Sequence, residues 1–246
     1  GTSDLRAAYT YWLNKRFNLN NNIVNKDKNI IPLAGTREGL FSIVLSLLPN
    51  QVIIPNPFYQ VYFGAAILNK CKVGIINTTK ETNFIFDLNI LERHLKIKNT
   101  LVYICSPSNP QGVSVSLDYW KKLIKIIRKN KSILIVDECY TDIYFDEPPI
   151  GVLEASNELG GSLSNLLAFH SLSKRSNVPG IRSGFAVGDE KIISNFLKMR
   201  SYSAPTIPLP LQEVSIKLWN DETHVNKSRD LYRQKFNYAF HLLSNK

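Results

Sequence analysis

Six short runs of apolar, mostly β-branched residues punctuate this chain: Val52-Ile53-Ile54, Val73-Gly74-Ile75-Ile76, Leu101-Val102-Tyr103-Ile104, Ile133-Leu134-Ile135-Val136, Leu166-Leu167-Ala168-Phe169 and Gly184-Phe185-Ala186-Val187. Their apolar residues are consecutive rather than alternating, as in strands covered on both faces. Amphipathic stretches lie between them. In Leu117 to Arg128, for example, Trp120, Leu123, Ile124 and Ile127 recur at helical spacing. This alternation predicts an α/β fold, a three-layer α/β/α sandwich around a mostly parallel mixed sheet. Helical spacing also opens the chain (Leu5, Ala8, Trp12, Leu13) and closes it, with Tyr232, Phe236, Phe240 and Leu243 following His224. No stop signal ends that last pattern, so the chain is expected to be cut inside a helix. No repeat, low-complexity tract or flexible linker interrupts it.

With 246 residues, 44% of them hydrophobic, the chain can bury a sizeable core as one large domain or at most two. No apolar stretch is long enough to span a bilayer, and Gly1-Thr2-Ser3-Asp4-Leu5-Arg6 lacks a signal-peptide core. The expectation is a cytoplasmic protein without a membrane partner. Cys71, Cys105 and Cys139 form no CxxC and read as reduced, buried thiols. His94, His170, His224 and His241 make no HxxxH or HExxH, so no metal site is expected. The net charge of +10 is spread along the chain, mostly as lysine, which reads as a solvated surface rather than a nucleic-acid interface.

Parallel sheets collect ligands beyond the carboxyl ends of their strands. Asp137 ends one such strand, with Glu138 beside it and Tyr140 three residues on. A carboxylate there could bind a cation, a metal or a protonated ring nitrogen, or merely cap the following turn. A Walker-B strand would require a GxxxxGK[ST] loop, and the sequence has none. A second strand ends at His170 and runs into Ser171-Leu172-Ser173-Lys174-Arg175-Ser176-Asn177-Val178-Pro179-Gly180-Ile181-Arg182. Ser171 and Lys174 satisfy SxxK, but its partner motifs SDN and KTG are absent. A lone lysine is usually solvated. Lys174 instead directly follows a buried strand, among hydroxyls and eight residues before Arg182, which suits an anion held beside a reactive amine.

Gly35-Thr36-Arg37 precedes an amphipathic helix carrying Leu40, Phe41, Val44, Leu45 and Leu48. Its free N–H groups and dipole would face an anion, although a plain N-cap has the same composition. Ser106-Pro107-Ser108-Asn109-Pro110-Gln111-Gly112 follows the Leu101 strand and brings the Asn109 amide to the same edge, unless it is only a turn.

The order of these pieces resembles the class I/II aminotransferases, fold type I of the pyridoxal-phosphate enzymes, over essentially the whole chain. The resemblance implies the large domain of that fold, with pyridoxal 5′-phosphate as cofactor. By similarity, Gly35, Thr36 and Arg37 match the phosphate-binding helix start, and Tyr59 in Pro57-Phe58-Tyr59 the ring-stacking aromatic, an ordinary core aromatic being the alternative. Asn109 and Tyr140 match the pair that bonds the phenolic oxygen, and Asp137 the carboxylate on the pyridine nitrogen. Ser171 and Arg182 match phosphate ligands. Lys174 matches the lysine that condenses with the aldehyde and shuttles the α-proton, so Lys174, Asp137 and Tyr140 form the implied catalytic set. The run from His170 to Asp189, with Asp137-Glu138-Cys139-Tyr140 and Pro148-Pro149-Ile150-Gly151, further resembles the succinyldiaminopimelate transaminases of lysine biosynthesis.

The implied substrates are an amino acid and a 2-oxo acid, N-succinyl-LL-2,6-diaminopimelate and 2-oxoglutarate, and the implied assembly is a homodimer. Tyr202 to Pro208 is a candidate for its interface. Relative to the family the chain reads as a fragment without the N-terminal arm and the C-terminal small domain. Residues 1–223 would form the cofactor-binding domain and 224–246 the helix leading onward. The arginine for the substrate α-carboxylate is not assignable, and the competing expectations are another class I/II amino-acid aminotransferase and a cofactor-binding module without catalysis.

Overall fold

A computed structural model describes residues 1–20, 23–203 and 206–244. All six apolar runs form strands, and a seventh precedes them. The strands are β1 (Ile30–Leu33), β2 (Gln51–Asn56), β3 (Lys72–Asn77), β4 (Thr100–Cys105), β5 (Ile133–Asp137), β6 (Leu166–Ser171) and β7 (Gly184–Gly188). They make one sheet in the order β1-β7-β6-β5-β4-β2-β3, in which β7 alone runs opposite to the other six strands. The expected mixed, mostly parallel sheet is therefore present.

Successive side chains of a strand face opposite layers. Val102, Ile104, Leu134 and Val136 join the core that contains Trp12, Trp120 and Trp219. Leu101, Tyr103 and Ile135 join the core on the other face, with Leu40, Ile43 and Phe196. The helices are α1 (Ser3–Arg16), α2 (Thr36–Leu47), α3 (Gln60–Leu68), α4 (Leu88–His94), α5 (Leu117–Lys129), α6 (Val152–Glu158), α7 (Leu172–Arg175), α8 (Glu190–Ser203), α9 (Leu209–Asn220) and α10 (Thr223–Ser244), and all but α10 supply residues to these cores. Ser116 caps α5 by accepting from the Tyr119 N–H, and Trp120, Leu123, Ile124 and Ile127 are buried as their spacing predicts.

Two expectations need correction, and the helix expected at the end of the chain is present with most of its apolar stripe exposed. The strand β3 is not covered on both faces: it is an edge, and Ile75 is 46% exposed. In α2 the buried stripe is Gly39, Leu40, Ile43 and Val44, whereas Phe41 (38%), Leu45 (47%) and Leu48 (66%) are exposed. Gly39 sets this rotation, because Leu33 and Phe169 pack where its Cβ would stand, 2.6 and 2.7 Å away. In α10 only Val225 is buried, and Phe240 and Leu243 of the predicted apolar face are 64% and 71% exposed. Within Tyr202 to Pro208, Tyr202 is exposed, while residues 204 and 205 lie outside the described residues, as do 245 and 246 of the predicted last segment. No described helix is long and apolar enough to cross a membrane.

Candidate functional site

A cavity of about 600 Å³ opens at the carboxyl ends of the central strands. Its floor follows from register, since Cys105 at the end of β4 pairs with Asp137 at the end of β5. Nine of the ten residues singled out in the sequence line it: Asp137, Tyr140, Lys174, Asn109, Tyr59, Ser171, Thr36, Arg37 and Arg182. The tenth, Gly35, touches Arg182.

Asp137 is 6% exposed. Its Oδ2 accepts from the Tyr62 hydroxyl at 2.8 Å and its Oδ1 from the Cys139 N–H at 3.3 Å. Burial raises its pKa above the usual carboxylate range, and the bonds from Cys139 and Tyr62 oppose that rise. A cation placed beside it would favour the ionised form. Asn109 Nδ2 donates to the Tyr140 hydroxyl at 3.1 Å, so two loops 31 residues apart present one polar pair. Burial, then the Asp137 charge, pushes the Tyr140 phenol up to about 12, which leaves it protonated at neutral pH. The Lys174 Nζ stands 5.8 Å from the centroid of the Tyr140 ring.

At the other end of the cavity Gly35 has φ +84°, and α2 begins after it with no side-chain cap. Its first N–H groups are left open, which favours an anion. A Cβ on Gly35 would stand 2.1 Å from Arg182 Nη2, so glycine is needed both for the backbone angle and for the guanidinium to lie against the turn. Arg182 itself has φ +56° at the end of a 3-10 turn, Pro179–Ile181, and its Nη1 donates to the Pro179 carbonyl at 3.0 Å. The Ser171 hydroxyl accepts from the Ser173 N–H at 3.1 Å. Arg37 Nε donates to the Tyr59 hydroxyl at 2.6 Å, which orients the Tyr59 ring at the cavity wall.

Sequence reasoning missed several residues. Tyr62 lies one turn after Tyr59, fully buried, with its ring stacked on Tyr103 at 4.4 Å. The only sequence signal for it was its three-residue spacing from Tyr59. Cys139, read as a reduced, buried thiol, lines the cavity and meets Thr36 Oγ1 at 3.2 Å, and Ser173 and Cys105 line it too. Behind the floor, Glu138 and His170 approach at 3.2 Å, both fully enclosed. Burial pushes the Glu138 carboxyl up to about 8 and the His170 imidazole down to about 3. At neutral pH the pair is therefore an uncharged carboxyl–imidazole contact and not a salt bridge. The described residues contain no cluster of three or more His, Cys, Asp or Glu that could hold a metal.

The arrangement combines a primary amine, a buried carboxyl group, a paired amide and phenol, and an anion cradle around one cavity. Those residues fit pyridoxal phosphate: the cradle suits a phosphate, the carboxylate a ring nitrogen, the amide and phenol a ring oxygen, and the amine an aldehyde.

Known proteins resemble the chain in sequence and in fold. The family model described as aminotransferase class I and II matches residues 1–246. The LL-diaminopimelate aminotransferase of Dehalococcoides mccartyi is 32% identical over 230 residues, covering 92% of this chain and 57% of that enzyme. An aminotransferase structure from Neisseria meningitidis superposes with a TM-score of 0.92 at 41% identity, over all of this chain and 63% of that one. The probable N-succinyldiaminopimelate aminotransferase of Thermus thermophilus shares the fold, with a TM-score of 0.84 at 21% identity, over 94% of this chain and 61% of that one. The chain thus spans about three fifths of the length of the proteins it matches.

Proposed function

The chain belongs to the class I and II aminotransferases, a family that uses pyridoxal 5′-phosphate, and from that premise we propose that it carries the cofactor site of a transaminase acting between an amino acid and a 2-oxo acid. The observation that supports this most is the convergence of Lys174, Asp137 and the Asn109–Tyr140 pair on one cavity, with Gly35 and Arg182 at its far end. We further propose N-succinyl-LL-2,6-diaminopimelate as donor and 2-oxoglutarate as acceptor. The relative from Dehalococcoides mccartyi favours LL-diaminopimelate as the second reading. On this proposal the enzyme is a cytoplasmic homodimer of lysine biosynthesis. Residues 1–223 form its cofactor domain, and 224–246 begin the helix leading onward.

When bound, the cofactor supplies an aldehyde that condenses with amines and a protonated ring that accepts an electron pair. The chain's own residues do the rest. Arg182, the Ser171 and Thr36 hydroxyls and the open N–H groups after Gly35, next to Arg37, hold the phosphate. Asp137 keeps a proton on the ring nitrogen, and Tyr62 keeps Asp137 in place. Asn109 and Tyr140 bond the phenolic oxygen, and Tyr59 covers one ring face. Lys174 would hold the aldehyde until the donor's amine displaces it, and its freed amine would then be the acid–base group for the donor's α-proton, positioned work worth roughly 10²–10⁴-fold.

The test is to load the protein with pyridoxal phosphate, reduce with borohydride and map the modified peptide. The expected label is on Lys174. A label elsewhere, or none, overturns the assignment. Adding each donor to the loaded protein should change the visible absorbance, first with the N-succinyl compound. A labelled protein that responds to no donor would instead be a cofactor-binding module.

A further inference from the structure

The Arg175-Ser176-Asn177 stretch directly after Lys174 has no part in the chemistry above, yet each of its side chains is engaged by α10 or by the turn that leads into it. The Arg175 guanidinium lies beside the rings of Trp12 and Trp219, at 5.5 and 5.3 Å, and its Nη2 donates to Glu222 Oε1 at 2.6 Å. Ser176 Oγ pairs with His224 Nε2 at 2.8 Å, and His224 Nδ1 meets Asp221 Oδ2 at 2.8 Å. The Asn177 side chain donates to the Ser228 hydroxyl and accepts from the Tyr232 hydroxyl, the latter at 3.0 Å. Residues 224, 228 and 232 are four apart, so one stripe of α10 follows this loop.

A neighbouring stripe grips the loop that leaves Tyr140. Arg229 Nε donates to the Asp142 carbonyl at 3.3 Å, and its guanidinium sits 3.9 Å from the Tyr144 ring centroid. Arg233 donates to the Phe145 carbonyl, and the Phe236 ring packs on Phe145 at 4.8 Å. Asp142 joins the two loops, because its carboxylate also reaches Arg175 at 3.4 Å.

We propose that α10 is the positioning element of the site, fixing Lys174 relative to Tyr140 by gripping both loops at once; this rests on the roles given to those two residues above. Two physical facts carry it. Lys174 sits in α7, a helix of only four residues, which has too few internal bonds to fix its own place. The α10 helix is docked almost wholly by side-chain polar contacts, with Val225 its one buried residue. A seam of that kind opens and closes locally without unfolding the core. Whatever moves α10 therefore moves the amine and the phenol relative to each other.

The test uses two variants in the half-buried seam, Ser228→Ala with Tyr232→Phe, and Arg229→Ala, with the exposed Tyr238→Ala as a control on α10. Amide hydrogen exchange is followed in cofactor-free protein, and the rate of borohydride-trapped labelling of Lys174 in loaded protein. The first variant should speed exchange in residues 172–178 and the second in residues 140–145, each by roughly tenfold, with an unchanged melting temperature. Labelling of Lys174 should slow in both and not in the control. Unchanged exchange in these loops, or faster exchange spread over the whole chain with a lower melting temperature, overturns the proposal. If unaltered protein takes no label at Lys174, the cofactor reading falls, and the exchange rates by themselves still decide whether α10 positions the two loops.

Discussion

The strand-end floor of the cavity and helix α10 are built on opposite principles. Asp137, Ser171 and the residues behind them are buried, and β4, β5 and β6 carry cores on both faces. The α10 helix, 22 residues long, buries Val225 alone and is docked through polar side chains. Packed interiors have few alternative arrangements, whereas polar surface seams exchange readily with water. Groups that must keep a fixed geometry stand on the first kind of structure. Groups whose spacing can be adjusted hang from the second.

Four substitutions sharpen or break that contrast. Lys174→Ala should abolish borohydride labelling and lower any transaminase turnover by about 10²–10⁴-fold. Near-normal turnover would remove Lys174 from the chemistry. Trp120→Ala, in the core behind β4 and β5, should lower unfolding free energy by about 3–5 kcal/mol in a denaturant titration. A loss below about 1 kcal/mol would mean that the layer is not the rigid support described.

Glu138→Gln probes the floor through pH. Its carboxyl ionises near 4.5 in the unfolded chain and near 8 in the fold, so the unfolded state releases the proton first. Stability of the unaltered protein should therefore fall as pH rises from about 4.5 to 8, by up to about 5 kcal/mol at roughly 1.4 kcal/mol per pH unit, and the variant should lack that fall. His170 acts in the opposite sense, reducing stability as pH drops from 6.5 towards 3 in both proteins. A parallel pH profile for the two proteins between 5 and 8 would show Glu138 to be ionised throughout. Phe240→Ala, on the exposed face of α10, should change stability by less than about 0.5 kcal/mol. A larger loss in thermal unfolding would erase the contrast between the two regions.

Which parts were legible from sequence follows the same division. The apolar runs located six strands because burial on both faces leaves no polar position in them. They missed β1, since Ile30-Ile31-Pro32-Leu33 is short and contains a proline, tolerated here on an edge strand paired with β7. Lys174, Asp137, Asn109 and Arg182 were legible because loops after such strands converge at one sheet edge. Tyr62 was not, because a tyrosine inside an apolar helix looks like core until its hydroxyl is found 2.8 Å from Asp137. The exposure of Phe41 and Leu45 was equally hidden, as periodicity defines a face but not the width of its neighbour.

By itself, then, the sequence determined the layered α/β architecture and the set of groups at the strand ends, because period and punctuation are local properties of a chain. Only the tertiary structure decided that Glu138 and His170 meet as neutral partners, that Gly35 receives the Arg182 guanidinium, and that α10 lies across the two loops. Each of those depends on atoms from segments between 32 and 147 residues apart in the numbering (170 − 138 and 182 − 35), and no local pattern encodes such a distance. It arises when the helices cover both faces of the sheet and burial, rather than sequence, sets which charges survive.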